Sequence, residues 1–361
     1  MADVIVNEQE LMRFGTQCLM SAGSCEEHAS KHIAVLIEAD RRGHYSHGFN
    51  RLRGHYVADI RSKICSPNSI PSIEKETVST AVVNGNNSLG AVVGHFAMDL
   101  AISKAKETGV GWVTVRGSNH FGIAGHYAKK ALDEGMIGLA FTNGSPYVAP
   151  TRSATQLLST LPIALAVPAN NGDHMLLDMA TSSAAVGKME LAKALGKPIP
   201  QGWALNKSGK PTTDPVEALP SGGGTGLPLG GEEETSGYKG YGLGLMVEIF
   251  CGILSGSDWG PHIRKWKIQN QIANLGQCFI ALDPSVFTPG FQDRSQSLLD
   301  TCRGLVPLDP NLAVIIPGDR GRAREQKAEE EGGIRYKIEQ YKNMLLLAEE
   351  LNLEPPKPIH Q

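Results

Sequence analysis

From residue 78 onward the chain alternates short apolar runs with segments of helical period, and few folds accommodate that alternation. Val78 to Val83 reads as a strand and Ala91 to Ala105 as a helix. Trp112 to Val115 reads as a buried strand, Ile123 to Leu132 as a helix, and Ile137 to Phe141 as a strand. Ile163 to Val167 and Met175 to Met179 continue as strands, followed by a helix from about Ser183 to Leu195. Strands interleaved with helices imply the mixed α/β class.

The flanks are less regular. Asn7 with Glu10, and Ser24 with Glu27, read as capping boxes opening two helices, the second ending at Gly43. A third helix is expected from Ser46. Residues 196–239 form a Gly/Pro/Ser-rich excursion, expected to be irregular. An apolar helix follows from Leu243 to Leu254, then a strand at Cys278 to Leu282 and a helix near Ser295 to Cys302. A strand at Ala313 to Ile316 and a last helix from Tyr336 to Leu351 complete the expectation.

At 361 residues one core is unlikely to serve the whole chain, so two associated domains are expected. The net charge of -3 carries no basic stripe of the kind that binds nucleic acid. No apolar run approaches the roughly 20 residues that span a bilayer. The first residues lack the basic and apolar regions of a signal peptide. The six cysteines are scattered with no CxxC pair, which argues against a disulfide framework or structural zinc and for a reduced, cytosolic protein. Metal binding has weak support, since His44 and His47 are close in sequence but lack HExxH or carboxylate company.

Four constellations can carry chemistry. In a helix capped by Ser46, the side chains of His47, Arg51 and His55 fall on one stripe, and an arginine between two histidines suits a small carboxylate. The same stripe would serve as a solvated face. His120, in the glycine-flanked turn after the 112–115 strand, stands where a general base is often presented, or where a histidine merely satisfies a turn. Asp178, Met179 and Ala180 end a strand before a helix start that could bind phosphate or hold a ring, or be an ordinary cap. Lys239, in a glycine-rich stretch before the apolar helix, and the turn at Gly318 and Asp319 could add phosphate contacts, or be flexible turns. No Walker loop, no GxGxxG after a strand and no GxSxG elbow is present.

Together these segments resemble the type-2 malate/L-lactate dehydrogenase family, which also holds ureidoglycolate and sulfolactate dehydrogenases and cyclic imino-acid reductases. The matching stretches are SHGFNRL at 46–52, SNHFGIAGHYA at 118–128, TNGSPYVAP at 142–150 and LPIALAVPA at 161–169. LLDMATSSAAVGK at 176–188, PLGG at 228–231 and KGYGLGLMVE at 239–248 continue the match in order. The resemblance implies a two-lobed α/β subunit with a non-Rossmann nicotinamide-binding domain. Residues 76–274 would form that domain, and 1–75 with 275–361 the substrate-side and dimerisation domain. It implies NAD or NADP as cofactor, a small carboxylate substrate and a homodimer. His120 would be the acid/base, Arg51 the carboxylate ligand, and Ser46, His47 and His55 active-site partners. Cofactor contacts would fall on Gly144, Asp178, Met179, Ala180, Lys239, Gly318 and Asp319. His55 stands where some members carry tyrosine, with Tyr56 one step on. The acidic stretch Glu232–Glu234 and the segment from Asp258 to Lys267 have no assigned role.

The implied reaction moves a hydride between the nicotinamide and C2 of a 2-hydroxy or 2-oxo acid, malate-like or lactate-like. A cyclic imino-acid reductase shares cofactor and site, and a catalytically silent binding protein on the same fold is the alternative of another class.

Overall fold

The computed structural model describes residues 3–265, 268 and 270–360. Strand β1 (Val4–Val6) leads into α1 (Glu8–Ala22) and α2 (Glu26–Arg41). Asn7 caps α1, its side chain accepting from Gln9 N at 2.7 Å, but Glu10 pairs with Arg13 rather than closing a capping box. At α2 the expected Ser24 cap is not made. Cys25 holds the cap position, and the Ser24 hydroxyl donates to the Cys25 carbonyl.

The helix expected from Ser46 is also different in kind. Turns run to Gly48, a 3₁₀ turn spans Phe49–Arg51, and a π-helical stretch spans Leu52–Val57 before α3 (Ala58–Arg61). A π turn takes one more residue per hydrogen-bonded ring than an α turn, so the register of every side chain after Arg51 is shifted.

The centre is a seven-stranded sheet. Its strands are β2 (Ser72–Glu76), β3 (Thr80–Asn84), β4 (Val110–Ser118), β5 (Ile137–Thr142), β6 (Pro162–Pro168), β7 (His174–Ala180) and β11 (Leu275–Leu282). The order is β2-β3-β4-β11-β5-β6-β7, and only β3 and β4 run parallel. β11 inserts antiparallel between β4 and β5, so a strand beyond residue 274 lies at the middle of this sheet. Helices α4 (Gly90–Thr108) and α5 (Ala124–Lys130) cover one face, where Val113, Val115 and Phe279 are fully buried. Beyond α6 (Val186–Ala194), residues 196–239 are not structureless. They make a small sheet of β8 (Ala204–Leu205), β9 (Pro211–Thr212) and β10 (Thr225–Gly226), with a turn of helix, α7 (Pro215–Ala218). Two-residue strands carry no readable period.

The apolar helix begins earlier than expected, as α8 (Gly237–Glu248), and continues as a π turn through Ile253. Helix α9 (Phe291–Arg303) follows β11. The strand expected at 313–316 is not formed. Ile316 N instead donates to Asp319 Oδ2 at 3.0 Å, which starts α10 (Asp319–Glu330). That helix is charged along most of its length and buries only Ala328, so no apolar stripe announced it. β12 (Ile334–Tyr336) and β13 (Pro358–His360) flank β1 in a second sheet, and with α11 (Ile338–Leu351) they enclose a core shared by both chain ends. Tyr336, expected in the last helix, belongs to β12. Of the segment from Asp258 to Lys267, residues 266 and 267 lie outside the described residues.

Candidate active site

A cavity of about 670 Å³ opens between the π-helical segment, the turn after β4 and the loop after β5. His47, Arg51, His55, His120 and Gly144 all line it. Two stretches some seventy residues apart in sequence therefore meet around one space.

The loop carrying His47 and Arg51 is anchored from beneath. Asp40, buried on α2, accepts from Phe49 N at 3.0 Å and from the Tyr336 hydroxyl at 2.9 Å. Gly48 lies against that carboxylate, where a Cβ would come within 1.9 Å of Asp40 Oδ1, so no other residue fits without moving the loop. Burial raises the Asp40 pKa to about 7, against the two hydrogen bonds. Arg51 Nε donates to the Ser46 carbonyl at 2.5 Å, and the Ser46 hydroxyl meets His47 Nδ1 at 2.9 Å.

His120 is fixed from the other side. His120 Nδ1 lies 2.6 Å from the Tyr56 hydroxyl and 3.2 Å from Gly122 N, which donates to it. The preceding Asn119 is pinned by its amide, which donates to the Ser88 carbonyl at 2.8 Å, and by its carbonyl, which accepts from Gln277 Nε2 at 3.0 Å. Gly90, at the start of α4, packs onto this turn so closely that a Cβ would be 2.3 Å from the carbonyls of Asn119 and His120. The rings of His47 and His120 stack with centroids 5.8 Å apart. Burial, then the neighbouring His47, His55 and Arg51, hold the His120 pKa well below its ordinary value. Burial and Arg51 bring His47 down to about 4. Both imidazoles are neutral at pH 7. Burial likewise raises the Tyr56 phenol, which stays protonated.

Tyr56 is the cavity residue whose contact with His120 helical periodicity hides. An α register assigns it to the core face with Leu52 and Ile60. The π turn keeps its ring buried, edge-on to His32 at 4.1 Å, while its hydroxyl reaches His120. Asn143, within the matching stretch 142–150, also lines the cavity, as do Asp59 and Arg264, which lie in none of those stretches.

The remaining candidates lie away from the cavity wall. Asp178 accepts from Gly125 N at 2.9 Å and so caps α5, just after the His120 turn; burial raises its pKa to about 6. Met179 and Ala180 pair across β6 with Ile163 and Pro162. Lys239 lies exposed in the first turn of α8, its ammonium 5.9 Å from the Tyr238 ring centre. Gly318 precedes α10 with φ of +104°, and Asp319 is ion-paired to Arg303 and Arg322.

The profile of the malate/L-lactate dehydrogenase family matches residues 6–345. The chain is 45% identical over 321 residues to a malate dehydrogenase of Pyrococcus abyssi, covering 88% of this chain and 87% of that one. It is 38% identical to a malate/(S)-sulfolactate dehydrogenase of Methanothermus fervidus, over 97% and 99% of the two chains. The crystal structure of malate dehydrogenase from Entamoeba histolytica superposes with a TM-score of 0.92 at 34% identity, over 99% of this chain and all of that one.

Proposed function

This chain belongs to the malate/L-lactate dehydrogenase family, and from that premise we propose how its cavity performs the reaction. The protein is a 2-hydroxyacid dehydrogenase of the malate type. Arg51 holds the C1 carboxylate of the substrate through its planar fork. His120 exchanges the proton of the C2 oxygen at Nε2. In the oxidative direction the neutral ring accepts it; in reduction the protonated ring returns it to the forming alkoxide. Because the exchange takes place at Nε2, Nδ1 keeps its proton in both states, and the Tyr56 hydroxyl accepts from Nδ1–H, which holds, against the Gly122 N–H, the tautomer that leaves Nε2 bare. The observation that carries this reading is the convergence of Arg51 and His120 on one cavity.

A nicotinamide, when bound, supplies the acceptor or donor of the C2 hydride. The residues present fit a flat ring. Gly144 and Gly187 line the cavity without side chains, and a Cβ on Gly144 would come within 2.8 Å of the Ser159 hydroxyl. NAD or NADP is the cofactor in this reading, held by the central-sheet unit, which takes in β11 as well as most of residues 76–274. Gly144 bounds the ring, and exposed Lys239 can take a phosphate. Asp178, with Met179 and Ala180 following it, supports the α5 start from beneath; Gly318 and Asp319 tie α10 to the sheet.

Tyr238, Leu245, Ile249 and Ile253 recur along one exposed side of α8 and its π extension, 36–54% exposed. Such a stripe supports a homodimer. Six free cysteines fit a reducing, cytosolic setting.

The test is nicotinamide absorbance with purified protein, NADH or NADPH, and a panel of 2-oxo acids and cyclic imines. Consumption with oxaloacetate is expected. Consumption with cyclic imines alone would move the assignment to an imino-acid reductase, and none with any substrate would leave a silent protein.

A further inference from the structure

One wall of the cavity carries a second guanidinium. Arg264 forms an ion pair with Asp59, and both side chains are largely buried, 10% and 16% exposed. Both line the same space as Arg51 and His120. Arg264 is held in place by more than its ion pair. Nη1 donates to the Ile268 carbonyl at 3.2 Å, and the Arg264 carbonyl accepts from the Ser145 hydroxyl at 2.7 Å, on the loop after β5.

A largely buried ion pair is an expensive way to fill space, because desolvating each charge costs several kcal/mol and well-packed apolar residues often do as well. Its retention at the wall of a substrate cavity calls for a use. The spacing supplies one. Asp59 follows Arg51 by eight residues along one run of helical turns, which puts them roughly 10–12 Å apart along its axis. An acid of three or four carbons with an oxyanion at each end can bridge from one arginine to the other. The wall's charge agrees, with Arg51, Lys193, Arg264 and Lys265 set against Asp59 and Glu190. A guanidinium has five N–H donors in a rigid fork, enough to hold Asp59 and a substrate oxyanion together.

We propose that Arg264, positioned by Asp59, grips the second oxyanion of a doubly charged 2-hydroxy acid whose C1 carboxylate is held by Arg51. This rests on the dehydrogenase reading above. Arg264 thereby sets a preference for dianions over lactate-like monoanions. Carboxylate and sulfonate ends offer the same paired oxygens to the fork.

The experiment measures kcat/KM for oxaloacetate, sulfopyruvate and pyruvate in the wild type and in Arg264→Gln. The double variant Arg264→Gln/Asp59→Asn is measured as well, since it leaves no unpaired buried carboxylate to disturb folding. Thermal melting checks each fold. Both variants are expected to lower the dianion-to-pyruvate ratio about 10–150-fold, the size of a lost charge-assisted hydrogen bond. Arg264→Lys is expected to recover part of it. A drop for oxaloacetate alone identifies a carboxylate as the far group, and for sulfopyruvate alone a sulfonate. An unchanged ratio, whether all three rates fall together or none does, overturns the role of Arg264 and leaves the dehydrogenase reading intact. Absence of wild-type turnover on all three acids would overturn that reading, and this one with it.

Discussion

Two histidine pairs in this molecule are built from the same parts and set up in opposite ways. His47 and His120 stack beside the cavity. His95 on α4 and His126 on α5 meet edge to face on the far side of α5, with their Nε2 atoms 3.2 Å apart. In the outer pair every proton is assigned by ions at both ends. Lys130 donates to His95 Nδ1 at 3.0 Å, so His95 donates from Nε2 to His126, whose Nδ1–H reaches Glu38 at 2.5 Å. Against its burial, the His126 hydrogen bond holds Glu38 well below the usual carboxylate range. At the cavity the Nδ1 partners of His120 are a phenol and a backbone N–H, neither of which carries a counter-charge at neutral pH. A histidine locked between fixed ions is structural. One seated against neutral partners can have its charge set by what enters the cavity, which is the condition for acid–base chemistry.

The comparison can be broken by substitution. His120→Ala is expected to lower kcat about 10²–10⁴-fold while the protein still melts cooperatively. His126→Ala is expected to leave kcat within error and to cost about 1–3 kcal/mol of stability, through the Glu38 Oε2 left without its hydrogen bond while Lys129 still pairs with Oε1. The reverse pattern would exchange the roles of the two pairs. Arg51→Lys keeps the charge and loses the fork, so KM for the 2-oxo acid is expected to rise about 10–100-fold with a smaller change in kcat. An unchanged KM removes Arg51 from substrate binding. Tyr56→Phe removes the acceptor of Nδ1–H and leaves the Gly122 N–H facing that atom, which favours the proton on Nε2. Oxidation is then expected to slow about tenfold, more than reduction, with a changed pH profile; equal slowing in both directions would make Tyr56 merely structural.

The smallest effect concerns the floor beneath Arg51. Asp40 has a folded pKa of about 7 against an ordinary 3.8, so its burial costs stability once the unfolded chain ionises. The cost grows as pH rises from about 4 to 7. His32, brought down to about 3 by burial, acts in the opposite sense, since the unfolded chain gains its proton below about 6.5. Asp40→Asn is expected to remove only the first trend, seen as a relative gain in melting temperature towards pH 7 over pH 5. A gain that does not depend on pH would mean Asp40 is not the titrating group.

Much of the site was legible because its residues follow local rules. His120 sits in a glycine-flanked turn at the end of an apolar strand, and Arg51 sits between two histidines. The helix that was to align them is not an α-helix, yet His47, Arg51 and His55 still share one cavity, because turns and a π stretch carry the chain past the same wall. An α register places Tyr56 on the core face, where its ring indeed lies, but hides the reach of its hydroxyl to His120, because periodicity presumes 3.6 residues per turn. Asp178 shows a different limit: a carboxylate before a helix start looks the same in sequence whether it caps that helix, holds a cofactor or, as here, caps a neighbouring one. Arg264 reaches the cavity from a segment with no recognisable motif, and only tertiary structure brings it beside Asp59. The charged helix α10 and the two-residue strands were missed because neither has an apolar period to read.

The central claim is that a neutral imidazole at position 120 takes the proton, and the pH dependence of kcat/KM for malate oxidation tests it most directly. With the His120 pKa lowered by burial and its basic neighbours, the proton-accepting form is present above that pKa and lost as pH falls through it. The expected profile is flat at neutral pH, falls below an inflection under pH 6.5, and loses that inflection in His120→Ala. A rate still climbing through pH 8, or an acid inflection that survives in His120→Ala, would place the base elsewhere.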